Sequence, residues 1–373
     1  MVKNEVAKHL KKYNGGSMEM TAKTELKVKN IDKSTWENPC GLDGCEFIEF
    51  AGPDAQSLHK IFQKLGFTLT GKHKEKEIFF YEQGGVKFIV NNEESSFAKD
   101  FKEAHGASAC AMGLKTEDAK KAFEVAVKRG ATPYVKRKDV SGFDAIYGIG
   151  NSLVYFVDYK DGNPFEKDFD FNGADKKGFG LRYTDHMTNN VPVSEMQQWC
   201  DFYEDTFNFK ETRAFNIKGE STGLISKVMG SPCQKLMIPI NEPSDPKSQI
   251  QEYLDEYKGS GIQHIALGTD DIISTVAEMR KQGIEFLDVP DTYYNMLKER
   301  LPLVTEDIER LKELKILVDG DEKGYLLQIF TKNLFGPIFI EIIQRKKHNG
   351  FGEGNFQALF DAIERDQKER GVL

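Results

Sequence analysis

One unit, strand–helix–strand–strand–strand, is expected four times along these 373 residues, twice in each half. In the first half CEFIEF reads as a strand, DAQSLHKIFQKLGF as a helix, and EIFFYE and VKFIVNN as strands. A polar stretch, EESSFAKDFKEAHG, then leads to a second unit: SACAMGL (strand), TEDAKKAFEVAVKRGA (helix), DAIYGIG and SLVYFVDY (strands). The pattern restarts after Gly180 with LRYTDHMT, the helix VPVSEMQQWCDFYEDTFNF, and the strands ETRAFNI, GLISKVM and QKLMIPI. It closes with GIQHIALGT, the helix DDIISTVAEMRKQGI, a helical insertion TYYNMLKERLPLVTEDIERLKEL, and the strands ILVDG, GYLLQIFT and GPIFIEIIQ. Apolar residues alternate in the strands and recur at helical spacing between them. A unit of this size cannot bury its apolar face alone, so the units must stack or pair. The expected organisation is an arm over 1–38, a first domain over 39–160, a polar, glycine-bearing linker over 161–180, and a second domain over 181–373.

Composition narrows the function. A net charge of −8 with no basic stripe argues against nucleic acid as a partner. No apolar run is long enough to span a membrane, and the first twenty residues lack the core of a secretory signal, so the expected location is cytoplasmic. Five cysteines at spacings that fit no CxxC site read as reduced thiols.

The chemistry is expected where the two halves differ. Glu341 sits in the strand Ile338–Ile343 on the face of Phe339 and Ile343, where an unpaired carboxylate is costly. It needs a lysine, an arginine or a metal. Each of His186 and His264 taken singly reads as a hydrogen-bonded core histidine. Aligning the halves changes this: His186 falls near Phe47, His264 near Ala111 and Glu341 near Tyr155, so three polar positions of the second half are apolar in the first. Two imidazoles and a carboxylate are the donor set of non-haem Fe(II) oxygenases, and the same set holds catalytic zinc. His59 reads as an exposed helix position, and His73 and His348 as solvated turns. The glycines at 350, 352 and 354 read as a hinge before a helix marked by Phe356, Leu359, Phe360 and Ile363, expected to cover the site as a lid and to end at Arg370-Gly371.

From about Arg182 onward the chain closely resembles the 4-hydroxyphenylpyruvate dioxygenases of the vicinal-oxygen-chelate superfamily. The stretches that carry the resemblance are TDHMTNNV, PINEP with KSQIQ, GIQHIAL, DTYYNML, GYLLQIFT, FIEIIQR and GFGEGNF. DGCEFIEFAGPD in the first half resembles the family's non-catalytic domain more loosely. The resemblance implies an α+β fold in which four βαβββ units form two open barrel-like domains. It implies one Fe(II) per subunit on His186, His264 and Glu341, with no separate 2-oxoglutarate. It assigns Gln263, Gln328, Phe330 and Asn241 to catalysis. Substrate contacts are implied for these four and for Ser226, Pro239, Gln249, Phe339, Phe351, Asn355 and Phe356. The implied substrates are 4-hydroxyphenylpyruvate and O₂, the products homogentisate and CO₂, in tyrosine breakdown. A homo-oligomer, dimer or tetramer, is the expected assembly. Alternatives are a hydroxymandelate synthase acting on the same substrate, an extradiol catechol dioxygenase, and a metal-free binding protein on the same fold.

Overall fold

The computed structural model describes residues 23–52, 54–136, 140, 142–218, 222–295, 297–355 and 371. The first half contains β2 (Leu42–Ala51), α1 (Ala55–Lys64), β3 (Thr68–His73), β4 (Ile78–Gln83), β5 (Val86–Asn91), α2 (Phe97–His105), β6 (Ser108–Thr116), α3 (Ala119–Lys128), β7 (Pro133–Tyr134), β8 (Ala145–Tyr147), β9 (Leu153–Val157) and β10 (Phe169–Phe171); β1 (Lys23–Val28) precedes it. The second half contains β11 (Leu181–Asn190), α4 (Met196–Phe207), β12 (Lys210–Lys218), β13 (Gly223–Gly230), β14 (Met237–Pro243), α5 (Gln249–Tyr257), β15 (Gly261–Thr269), α6 (Ile272–Lys281), α7 (Leu297–Arg300), α8 (Ile308–Leu314), β16 (Leu317–Gly320), β17 (Tyr325–Phe330) and β18 (Phe339–Lys346).

The described residues form two nine-stranded sheets, ordered β10-β3-β4-β5-β2-β6-β9-β8-β7 and β1-β12-β13-β14-β11-β15-β18-β17-β16. Apart from their first strands the two orders are the same, so the repeat is real in space. The registers superpose residue for residue. Phe47 lies opposite Gly113, which lies opposite Tyr155. His186 lies opposite Ala266, which lies opposite Glu341. Ala111 pairs with Leu153 as His264 pairs with Phe339.

The arm and the linker both contribute strands. β1 pairs with β12 of the second sheet, Lys23 opposite Lys218 through Val28 opposite Arg213. Its sequence KTELKV alternates, and its lysines suit an edge that must not pair further. β10 lies in the stretch expected as a linker and pairs with β3. That stretch is polar in composition but anchored by phenylalanines: Phe165 and Phe169 are buried. Phe165 packs edge-on against Phe47 (5.9 Å), Phe80 (4.9 Å) and Phe143 (5.4 Å). These rings form one cluster with Phe165 at its centre. Phe165→Ala is expected to cost about 3–5 kcal/mol in denaturant unfolding, as large-to-small core changes do, while leaving metal content unchanged because the ring sits in the other half from the histidine cluster.

Two helices were not legible in the pattern. α2 and α5 occupy matching places before the second unit of each half, α2 within the stretch that reads as polar and α5 in a stretch to which the pattern assigns no element. Each is tethered by a few apolar residues: Phe97, Ala98 and Phe101 in α2, and Ile250, Tyr253, Leu254 and Tyr257 in α5. The halves meet partly through them, His105 stacking on Tyr257 (4.8 Å) with Nδ1 2.9 Å from its carbonyl oxygen. The long helical insertion is broken into α7 and α8, with Pro302 between them. His73 is buried in β3, its Nδ1 accepting from the Glu75 N–H (3.1 Å), and His59 is half-buried with Nδ1 3.0 Å from the Tyr81 hydroxyl, so neither is the solvated group its polar neighbours suggest. His348 is likewise half-buried, accepting from the Gly350 N–H (3.1 Å).

Candidate metal centre and active site

Strand alternation should send Asp185 and His186 to opposite faces of β11. The pairing of β11 with β15 shifts by one residue between Thr184 and His186, and again between Thr188 and Asn189. Asp185 is therefore the extra residue of one irregularity on β11, and Gln263 of the other on β15. An extra residue re-aims its side chain. Here each one turns onto the histidine that follows it: Asp185 Oδ1 lies 2.8 Å from His186 Nδ1, and Gln263 Oε1 lies 3.1 Å from His264 Nδ1. The first half has the same shifts, at Glu46 and Cys110, without the histidines.

An acceptor on Nδ1 fixes the proton there and leaves Nε2 as the free lone pair of a neutral ring. Both Nε2 atoms point at Glu341: Oε2 is 3.2 Å from His186 Nε2 and 3.6 Å from His264 Nε2. One ligand atom from each of the three residues lies within 4.8 Å of the other two. All three side chains are largely enclosed, His264 the most open at 12%. Thr188 adds a hydroxyl 3.0 Å from His264 Nε2.

The charge distribution is that of a site built around a cation. Burial alone would raise the Asp185 carboxyl, yet the Arg345 guanidinium, then its hydrogen bonds and those of His186, hold it well below the usual carboxylate range. Burial works against a charged His186, but the Glu341 carboxylate and Asp185 push it up to about 9. Burial and then the His186 charge drive His264 well below its ordinary value. The metal-free protein thus holds a proton where a metal would put its charge. A histidine near 6.5 unfolded and near 9 folded adds stability that is complete below pH 6.5 and lost as pH rises through 9. The melting temperature of chelator-treated protein is expected to fall between pH 6.5 and 9.5, and that slope is expected to flatten in Glu341→Gln.

Around the cluster the structure assembles an aromatic wall. The Phe339 ring stacks on His264 (4.8 Å, 19°), Phe330 stands edge-on to it (6.3 Å), and Phe351 is edge-on to His186 (5.0 Å). Phe330 lies directly opposite Glu341 across the β17–β18 ladder. Gln328, two residues from Phe330 on the same face, is fully buried, and neither its Oε1 nor its Nε2 has a partner among the described residues. Ser226 and Asn241 are cross-strand neighbours, both buried, and Asn241 donates to Asn190 Oδ1 (3.2 Å) on the strand of His186. Pro239 lies two residues from Asn241 on β14. Gln249 opens α5, half-buried, and no hydrogen bond ties it to this group among the described residues. Asn355 is buried and accepts from the Tyr293 hydroxyl (2.6 Å). Phe356 and the expected lid helix lie outside the described residues.

The glycine run is not built as a hinge. Arg213 pairs with Glu353 (2.5 Å) and donates to the Asn349 carbonyl (3.3 Å), and the Gly354 N–H donates to Asp319 (2.8 Å). A Cβ on Gly352 would overlap the Gln328 amide, and one on Gly354 the Asp319 carboxylate. The glycines allow close approach, and the segment is fastened through Asn355. Arg345 and Asn190 also belong to the site, and the strand pattern alone does not single them out. Arg345 continues the face of Glu341 and Ile343, which was the available signal, but its partner Asp185 is visible only through the register shift.

A cavity of about 970 Å³ lies in the first half, lined by Glu46, Glu82, Lys87, Tyr159 and Lys176 among others. Its two buried acids are already paired, Glu46 with Lys87 (2.5 Å) and Glu82 with Lys176 (2.8 Å), so it lacks the buried orphaned amide found beside the triad.

Comparison with known proteins matches residues 36–172 to the family profile "Hydroxyphenylpyruvate dioxygenase, HPPD, N-terminal" and residues 184–328 to the "Glyoxalase/Bleomycin resistance protein/Dioxygenase superfamily". The chain is 51% identical over 341 residues to a 4-hydroxyphenylpyruvate dioxygenase of Legionella pneumophila, covering 90% of this chain and 98% of that protein. It is 45% identical to the Pseudomonas aeruginosa 4-hydroxyphenylpyruvate dioxygenase, covering 92% and 99%. Among solved structures, a mutant of 4-hydroxymandelate synthase from Streptomyces coelicolor superposes with a TM-score of 0.76 at 25% identity, covering 87% of this chain and 99% of that one. No helix among the described residues is long and apolar enough to cross a membrane.

Proposed function

This chain belongs to the 4-hydroxyphenylpyruvate dioxygenase family, and on that premise we propose that it converts 4-hydroxyphenylpyruvate and O₂ to homogentisate and CO₂ in tyrosine breakdown, with one Fe(II) held by His186, His264 and Glu341. The observation that carries the proposal is the convergence of those three side chains beside Gln328, a fully buried amide with both polar atoms unpartnered among the described residues. An enclosed amide without partners costs about 1–3 kcal/mol, which a polar ligand would offset. The donor set suits iron. Fe(II) bound there supplies the redox chemistry that activation of O₂ requires, and the substrate's own α-keto acid supplies the two electrons as it loses CO₂.

The side chains have separate tasks. Asp185 and Gln263 keep the two Nε2 lone pairs turned inward. Phe330, Phe339 and Phe351 exclude water and flank the substrate ring, each ring pair contributing about 0.5–1.5 kcal/mol. Ser226, Asn241 and Gln249 are the neutral groups proposed to receive the phenol hydroxyl, with Pro239 beside them, and Gln328 to bind the polar end of the ligand. Asn355 would close the pocket, and Phe356 is a further proposed substrate contact. The catalytic unit is then 181–373, and 39–160 is a non-catalytic copy with Phe47, Ala111 and Tyr155 at the places of the triad.

Product identification tests the reading. Homogentisate with one CO₂ per turnover is expected; 4-hydroxymandelate would instead assign the chain to benzylic hydroxylation, and catechol cleavage without CO₂ would remove it from keto-acid chemistry.

A further inference from the structure

We propose that Arg345 is a positioning residue that couples the loop carrying Phe351 to the metal ligand His186; this rests on the iron site proposed above. One guanidinium serves two structures. Its Nε donates to Asp185 Oδ2 and its Nη2 to Oδ1, both at 2.7 Å, and Asp185 Oδ1 in turn holds His186 Nδ1 at 2.8 Å. Its Nη1 donates to the carbonyls of Gly350 (2.6 Å) and His348 (3.2 Å). The guanidinium carbon lies over the Phe351 ring at 5.7 Å, and that ring meets His186 at 5.0 Å.

The first half shows what the same position does without a metal. Glu46 occupies the place of Asp185, at the same register shift. Tyr159 follows Tyr155 by four residues, as Arg345 follows Glu341, and its hydroxyl donates to Glu46. Phe165 follows Tyr155 by ten residues, as Phe351 follows Glu341, and packs on Phe47 as Phe351 packs on His186. Holding the acid there takes two groups, the Tyr159 phenol and the Lys87 ammonium. One arginine replaces both and adds a reach to the loop. Its five donors in a planar fork reach the acid and the loop carbonyls together. Its charge also balances Asp185, so the site's net anionic charge is not doubled and stays receptive to an anionic keto acid.

If the guanidinium joins loop and ligand, metal binding and loop order must favour each other by the same factor. The probe is Co(II), whose binding and visible spectrum need no turnover. The loop is followed by hydrogen exchange at the amides of Gly350 and Phe351, which donate to His348 Nδ1 and Glu353 Oε2, both at 3.1 Å. In the full-length wild type, Co(II) is expected to slow exchange at both amides. Arg345→Lys keeps the charge but cannot span both partners. It is expected to weaken Co(II) binding about 10–100-fold, the usual effect of losing a partner behind a ligand, and to abolish the metal-dependent protection. Asp185→Asn is expected to weaken Co(II) binding similarly while the metal-free loop keeps wild-type protection, because Arg345 still holds the carbonyls. Tyr159→Phe, in the first half, is expected to change neither.

Wild-type Co(II) affinity in Arg345→Lys, or loop exchange in the wild type that ignores Co(II), would overturn the proposal. If Arg345→Lys does not fold, the wild-type exchange experiment and Asp185→Asn decide it alone. Should the coupling hold while the Fe(II) protein makes no homogentisate, the functional reading fails and the coupling stands.

Discussion

Glu341→Ala is expected to lose bound metal and turnover together, each by more than the roughly 10–100-fold that follows removal of a group behind a ligand. Glu341 is the one anionic member of the triad, and its Oε2 lies within 3.6 Å of both inward-facing Nε2 atoms. With alanine there, two neutral imidazoles remain. The enclosed site then has no carboxylate in direct contact with the cation, and Asp185 cannot substitute because both its oxygens are engaged by Arg345. The fold is expected to survive, since Ile340, Ile342 and Ile343 carry the packing of β18. Metal analysis after gel filtration, beside turnover, checks both halves of the expectation; iron retained at the wild-type level would contradict it.

Gly352→Ala is the second large effect. Gly352 sits at φ +78°, where a residue with a Cβ is strained, and that Cβ would overlap the Gln328 amide. Strain and overpacking cost roughly 1–3 kcal/mol each. The atoms in the way are all of the Gln328 side chain, so rotation of that amide away from the pocket would relieve the overlap. If the overlap cost of about 1–3 kcal/mol falls on ligand binding, the substitution is expected to lower kcat/KM by about 5- to 150-fold, mostly through KM, at about 1.4 kcal/mol per factor of ten. Gly350→Ala should be milder, because its Cβ would meet the movable side chains of His348 and Glu353. Steady-state kinetics on the two variants separates close approach from hinge motion: a hinge would make them alike.

The triad was readable because the chain carries its own control. Phe47, Ala111 and Tyr155 show what the repeat needs for packing alone, and the strand registers place them opposite the same neighbours as His186, His264 and Glu341. Periodicity could not reveal the groups behind the histidines. Asp185 and Gln263 lie one residue from their partners, which alternation assigns to the opposite face, and only a one-residue slip between β11 and β15 reverses that. Short helices such as α2 and α5 were hidden for a related reason. Three or four apolar residues suffice to seat them on a sheet, and the rest of their surface is charged. The glycines of GFGEGNF misled in the opposite direction, since a residue without a side chain marks either freedom or crowding, and Gln328 and Asp319 make it crowding.

The central claim is that this triad holds iron for a keto acid that is its own reductant. Protein reconstituted with Fe(II) under anaerobic conditions, given 4-hydroxyphenylpyruvate and then a measured pulse of O₂ without 2-oxoglutarate, should consume one O₂ and release one CO₂ for each homogentisate formed. O₂ uptake that required added 2-oxoglutarate, or no uptake by iron-loaded protein, would contradict it.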